Sequence, residues 1–395
     1  MLPTVALFST NFLAYSQTFV YEELRRLSRY RAEVFCRRRL LAEQFPFSPV
    51  HVGGPTYGWT CQARHFDQRF RSIRFALVHA HFGLGAVYAR RFALRHRLPL
   101  VVTFHGYDVP LLSSPTRWLP QHLRYALQGP RVLRDMTLGL CASTELQTML
   151  LALGVPPDRL RVHRLGIDLE RFQPGPRRAD RCQVAMVGRF VEKKGFAKGL
   201  AAFTAVARDL PLLRLTLVGD GPLAGALRRQ AAATNLGERI EFAGPLPADR
   251  VAALLATTDV LLAPSVVDQK GDRESGLMVV KEASACGAVP IGTRHGGIPE
   301  IIDDGATGYL VEEHDVGAMA ARLAQLASDP SLRAALGQAG REKMRREYDV
   351  RKRVHDLRHR QREAGLREFE GKVCRRIWCR LLDSRRAAGG GRSLT

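Results

Sequence analysis

Through its first 345 residues the chain alternates short apolar runs with longer amphipathic ones. In the first half the short runs fall at Val5–Ser9, Leu77–His81, Leu100–Phe104, Thr137–Ala142 and Arg161–Leu165. They are β-branched or leucine-rich and too short for helices, so they read as strands. Between them Thr18–Arg29, Ala86–His96 and Thr144–Leu153 carry the helical period. From Phe172 to Arg181 the pattern breaks into QPGPRRADR, a proline- and charge-rich linker. It then restarts with strands at Gln183–Val187, Arg214–Val218, Arg239–Phe242, Val260–Ala263, Val289–Ile291 and Gly308–Val311. Helices are expected at Phe196–Asp209, Pro222–Thr234, Ala248–Thr257, Leu277–Cys286 and Val316–Ser328. Alternating strand and helix predicts parallel sheets covered on both faces. The expected architecture is α/β, with two Rossmann-like, doubly wound domains facing across a cleft. The expected units are 1–172, 173–345 and a terminal helix with a basic tail over 346–395.

Composition narrows the class. With 395 residues, 46% hydrophobic and 25% charged, the chain is globular and too long for one core. No apolar run approaches the roughly 18–20 residues of a membrane span. The amino terminus MLPTVALFST has no basic leader and reads as a strand, so secretion is not expected. Seven cysteines, an odd number without a CxxC pair, argue against a disulfide framework and a zinc site. The expected setting is the reducing cytoplasm.

Charge adds a second distinction. The net charge is +22, and it is uneven: +12 over 1–172, which holds 23 arginines and no lysine, +2 over 173–345, and +8 over 346–395. Basic surface attracts nucleic acid, anionic lipid or phosphorylated substrates. Aromatic content is only 8%, and no finger, RNP or helix-turn-helix signature occurs, so nucleic acid is not expected as a partner.

Candidate chemistry sits at the carboxyl ends of the predicted strands. Glu274 and Glu282 stand eight positions apart, before and inside one helix, and can face the same side. A carboxylate at Glu282 can accept from a ribose diol. The helix start near Gly276 offers N–H groups to a phosphate. Gly188-Arg189-Phe-Val-Glu-Lys-Lys194-Gly follows a strand, where Arg and Lys suit a diphosphate. Gly219, Gly221 and Gly225 miss the dinucleotide spacing by one residue and read as a tight turn, not a nicotinamide site. His105 and Asp108 follow another strand and could contact a sugar hydroxyl or support proton transfer. His79 and His81 face one side of a strand without a third metal ligand. Gly296-Gly297 in TRHGGIPE makes a loop able to approach a sugar or phosphate.

In this order, GRFVEKKG, VGDGP, Phe242–Gly244, the APS at 263–265, Glu274-x7-Glu282 and GGIPE resemble the donor-binding half of family 4 GT-B glycosyltransferases of the retaining type. The first half adds SQTFVYEEL, VHAHFG, TFHGYDV and GIDLERF, which are similar to the bacterial exopolysaccharide, colanic-acid-like branch. The resemblance covers about residues 4–345. It implies that Arg189 and Lys194 bind the donor diphosphate, and that Glu282 holds the ribose. It places Glu274 on the transferred sugar and His105 beside it. Gly276 and Leu277 would face the leaving group, and Gly219, Gly221 and Gly244 would line the donor site. Tyr15, Thr18 and Asp108 are expected on the acceptor side. Tyr15-Ser-Gln-Thr18 replaces the Gly-Gly loop of many relatives, and no Phe separates Ser275 from Gly276. These departures leave the donor sugar open.

No metal or cofactor is implied, because cationic side chains would replace a divalent ion. The donor would be a nucleotide sugar, UDP-linked rather than GDP-linked by family frequency. The acceptor would be a polysaccharide or polyprenyl-diphosphate-linked chain, with the basic surface on an anionic inner membrane face. A small soluble acceptor is the alternative.

Overall fold

The computed structural model describes residues 2–13, 17–27, 30–269, 271, 274 and 276–364. Two wholly parallel sheets organise them. The first holds β1 Thr4–Phe12, β2 Arg31–Arg39, β3 Val50–Val52, β4 Phe75–His81, β5 Leu100–Phe104, β6 Leu138–Cys141 and β7 Leu160–Val162. Its spatial order is β3-β2-β1-β4-β5-β6-β7. The second holds β8 Cys182–Val187, β9 Leu213–Val218, β10 Ile240–Gly244, β11 Val260–Ala263, β12 Val289–Thr293 and β13 Tyr309–Val311, in the order β10-β9-β8-β11-β12-β13. Each sheet reverses its winding once, between β1 and β4 and between β8 and β11. Ligands of such sheets bind at that reversal, beyond the carboxyl ends.

The predicted strands are present, with shifted ends. Sequence reading misses β2, and the reason is electrostatic. Glu33 is fully buried in its centre and the strand ends in three arginines, which hides an apolar pattern. Arg69 donates to both Glu33 oxygens, from Nε at 2.9 Å and Nη2 at 2.8 Å, and His51 Nε2 lies 2.9 Å away. A charge buried with such partners is tolerated. The helix Pro120–Asp135 was also outside the expected set; it buries Tyr125, Gly129, Val132 and Leu133.

The chain crosses between the two sheets twice. The first crossing runs through 163–181 and contains the predicted linker. The second follows the helix Pro330–Glu347, whose Met344 joins the second core beside Tyr348. The crossings lie side by side: Ile167 N–H donates to Tyr348 O at 2.8 Å, and Val350 N–H to Ile167 O at 3.0 Å. A helix over 350–364 then returns to the first sheet, where Leu357 and Ala364 pack with Val5, Leu77, Val101, Leu138 and Leu140. The expected terminal helix is thus present as far as 364, and the basic tail beyond lies outside the described residues. Among the described residues no helix is long and apolar enough to cross a membrane.

Candidate functional site

The β8–β11 reversal holds the cationic motif. β8 ends at Val187, and Arg189 stands exposed beyond it without an ion pair among the described residues. The loop carrying it is held by close packing. A Cβ at Gly219, whose φ is +136°, would lie 1.9 Å from Gly188 O. Gly219 and Gly221, expected to line the donor, stand beside the Arg189 loop and shape it. Their amides are already used, Gly219 N–H by Gly244 O at 2.9 Å and Gly221 N–H by Asp220 Oδ1 at 2.8 Å. Both glycines, with Gly244, support the Arg189 loop.

Lys194 and Lys193 meet Glu274. Lys194 Nζ lies 3.1 Å from its Oε2 and Lys193 Nζ 3.4 Å from its Oε1. Burial pushes the Glu274 carboxyl up, but the two ammonium groups outweigh it and hold the group below the usual carboxylate range. The Glu274 backbone is also fixed. Its N–H donates to His295 Nε2 at 2.9 Å, and His295 Nδ1 lies 2.7 Å from Glu313 Oε1. Gly296 completes the clasp: at φ +54° a Cβ there would stand 1.7 Å from Glu274 O. Lys193, His295 and Glu313 were not singled out from the sequence, although the Lys-Lys doublet and the TRHGG motif carry the first two.

The helix Met278–Ala285 starts at Leu277, which gives it no side-chain cap, and a helix start offers N–H groups to an anion. Gly276 abuts the first domain: its Cβ position is 3.8 Å from Leu165 Cδ1 and 3.9 Å from Ala142 Cβ, at the carboxyl end of β6. Glu282, on the same helix, is part-buried, and its carboxylate has no hydrogen bond or ion pair among the described residues. Burial raises its carboxyl to about 7, against the opposing charges of Lys281 and Arg171. Lys281 itself is buried, donates to Leu165 O at 3.1 Å and is lowered to about 7 by that burial.

On the first domain, His105 lies just beyond β5. His81 Nδ1 is 3.0 Å from His105 Nε2, and the two rings stack at 5.2 Å. His79 continues the file, its ring 4.7 Å from His81, with Nε2 2.8 Å from Thr103 Oγ1 and Nδ1 3.1 Å from Gln361 Nε2. Burial drives His105 and His79 down to about 3 and also lowers His81 well below its ordinary value, so all three are neutral imidazoles. Thr18 opens the helix Thr18–Arg25, and the next ring, Phe19, sits 4.8 Å from His105. Tyr15 lies outside the described residues. Asp108 is not turned to an acceptor, which corrects its expected place. Its buried carboxylate accepts from Gly83 N–H at 2.8 Å and Gly106 N–H at 3.1 Å, and burial raises it to about 6. It clamps the loops around His105. Among the described residues no cluster of three or more His, Cys, Asp or Glu could hold a metal.

One further residue joins the two domains. Glu300, in GGIPE, accepts from Thr144 N–H at 2.6 Å and from Arg164 Nε at 3.0 Å, both on the first domain. Its backbone carbonyl accepts from Tyr348 Oη at 2.9 Å and Lys343 Nζ at 3.2 Å.

The sequence and the fold match known proteins. The family model "Glycosyl transferases group 1" matches residues 168–343, and "Glycosyltransferase Family 4" matches 16–171. The chain is 32% identical to WcaL of Salmonella typhimurium, named for colanic acid biosynthesis, over 62% of this chain and 60% of that protein. It is 29% identical to the amylovoran biosynthesis glycosyltransferase AmsK of Erwinia amylovora, over 68% of this chain and 65% of that one. The chain thus spans less than two thirds of the length of these relatives. The UDP complex of HepE from Anabaena shares the fold, with TM-score 0.75 and 20% identity over 92% of this chain and 100% of that chain. The chain belongs to the family 4 glycosyltransferases of the two-domain GT-B fold.

Proposed function

We propose that this protein transfers a hexose-type sugar from a UDP-sugar to a hydroxyl of a growing polysaccharide or lipid-linked oligosaccharide at the cytoplasmic membrane face, with retention of anomeric configuration. The observation that carries the reading is the Lys193–Lys194–Glu274 ion cluster, which joins the loop carrying Arg189 to the segment that leads into the helix of Glu282, beside the carboxyl end of β6. The biosynthetic names of WcaL and AmsK support the polymer acceptor, and the UDP bound to HepE supports uridine.

The chemistry follows from charge. The bond from the anomeric carbon to the diphosphate oxygen breaks, and negative charge grows on the departing phosphate. Arg189, Lys194 and the N–H groups at Gly276–Met278 meet that charge already oriented. Glu282 accepts from the ribose hydroxyls. The acceptor hydroxyl attacks from the face the phosphate leaves, and its proton passes to a phosphate oxygen. His105, neutral, hydrogen-bonds the transferred sugar, and Glu274 borders it. No metal or cofactor enters the reaction.

The test is nucleotide release from a panel of UDP- and GDP-sugars, with EDTA present, for the parent and Glu282→Ala. Release of UDP from one sugar, unaffected by EDTA and at least about tenfold weaker in the variant, is the expected result. Silence across the panel together with no UDP binding by calorimetry would overturn the proposal. Release only when a small soluble acceptor is added would replace the polymer acceptor.

A further inference from the structure

We infer that the outward face of the helix Pro120–Asp135, with Trp118, Leu119 and Trp59, is a docking surface for an anionic phospholipid bilayer. The inference deepens the membrane part of the proposed function and leaves the donor chemistry aside.

The helix has two contrasting sides. Tyr125, Gly129, Val132 and Leu133 are buried, while Leu123 and Leu127, one turn apart on the other side, are 40% and 55% exposed. Trp118 and Leu119, which lead into the helix, are 58% and 42% exposed. Trp59 is 82% exposed and is strapped to the same helix, because Arg124 Nη1 donates to Trp59 O at 3.1 Å. A soluble surface has no use for two tryptophans and three leucines in one place. Tryptophan is the residue that lodges at the headgroup level of a bilayer.

Charge decides the occupant. From Val109 to Arg134 the chain has no acidic residue, and it has Arg117, Arg124, Arg131 and Arg134, the last of which pairs with Asp135 at 2.9 Å. Arg117 lies over the Trp118 ring at 5.0 Å. Apolar side chains bordered by arginines match an anionic bilayer, which accepts the former in its acyl boundary and the latter among its phosphates.

The position matches the site. A Cβ at Gly83 would lie 1.9 Å from Tyr125 Oη, so the buried side of this helix rests on the start of Gly83–His96. That start lies beyond the carboxyl end of β4, on the side of the sheet that carries His105. A protein resting on this surface brings the acceptor side of the site next to the lipid headgroups.

The experiment is co-sedimentation of the full chain with phosphatidylcholine vesicles, with and without phosphatidylglycerol, at low and high salt. Calorimetric UDP binding is measured in parallel as a fold check. The parent should sediment only with the anionic vesicles, less at high salt, and with blue-shifted tryptophan emission. A Trp118→Ser, Leu123→Gln, Leu127→Gln variant should lose about tenfold or more in partitioning while keeping UDP binding. Arg131→Gln with Arg134→Gln should weaken partitioning and its salt dependence together. Undiminished sedimentation of the triple variant would overturn the inference and assign lipid binding elsewhere, the basic tail included. Equal binding to neutral vesicles, no binding at all, or a change in oligomeric state of the triple variant without lipid binding would overturn it too. Loss of UDP binding by the parent would sink the donor reading and leave this result standing.

Discussion

Glu274 and Glu282 share a motif but have opposite electrostatic surroundings. Two ammonium groups hold the first ionised, while burial without a partner lifts the second to about 7. In the proposed function a ribose diol needs the ionised acceptor, and the ionised fraction of Glu282 grows as pH rises through 7. Donor kcat/KM should therefore climb across about pH 6–8, and Glu282→Gln should flatten the climb while lowering its plateau; a pH–rate profile of both proteins checks this. The neutral histidines give a second pH effect of definite sign. Their folded pKa values lie below the unfolded value of about 6.5, so their contribution is complete above that pH and is lost on acidification. Each pH unit below about 6.5 costs on the order of 1.4 kcal/mol for a fully buried imidazole such as His79. Thermal melting should fall steeply between pH 6 and 5, and His79→Gln should make the fall shallower. The candidate residues stood out at this scale because charged side chains beyond apolar strands are conspicuous. The place of Asp108 was not legible, because a loop clamp and a catalytic acid have the same sequence signal, and only its two backbone donors separate them.

Among the elements, the short turn that carries Glu300 has the largest reach. One carboxylate ties the start of the helix Thr144–Ala152 and Arg164 to the second domain, so it holds the two sheets' carboxyl ends together. Glu300→Ala removes two side-chain hydrogen bonds and strands an arginine, a loss of about 1–3 kcal/mol for the closed arrangement. Small-angle scattering should report a larger radius of gyration, with the melting of each domain little changed. An unchanged radius would show that the hold lies elsewhere. Nothing in GGIPE announces this, since a glutamate ending a glycine turn reads equally as solvent-facing. The strands of the second sheet were legible because parallel strands are apolar on both faces. β2 was not, because its ionic partners Arg69 and His51 come from other elements.

The whole molecule is not two beads on a string. The helix over 350–364 belongs to the first sheet although it follows the second domain in sequence, and it brings Gln361 to His79. Removing residues 350–395 should speed hydrogen exchange in β1, β4, β5 and β6 while β8, β11 and β12 stay protected. Uniform protection would show that the returning helix adds nothing to the first core. The paired architecture was readable from the restart of the strand–helix pattern after residue 181. The terminal helix was readable too, but its return to the first sheet was not, because its partners Val5, Leu77, Val101 and Leu138 lie far away in sequence.

Those two crossings have a mechanical consequence. A single linker would let the domains swivel in any direction. Here two segments pass between them side by side and are bonded to each other at Ile167, Tyr348 and Val350, where Gly166 leaves room for the Val350 backbone. A body held by one narrow pair of straps turns about that line and resists twisting across it. Glu300 then sits as a catch on the free edge, and any opening of the site is expected to follow a door's single arc about that line rather than a free swivel.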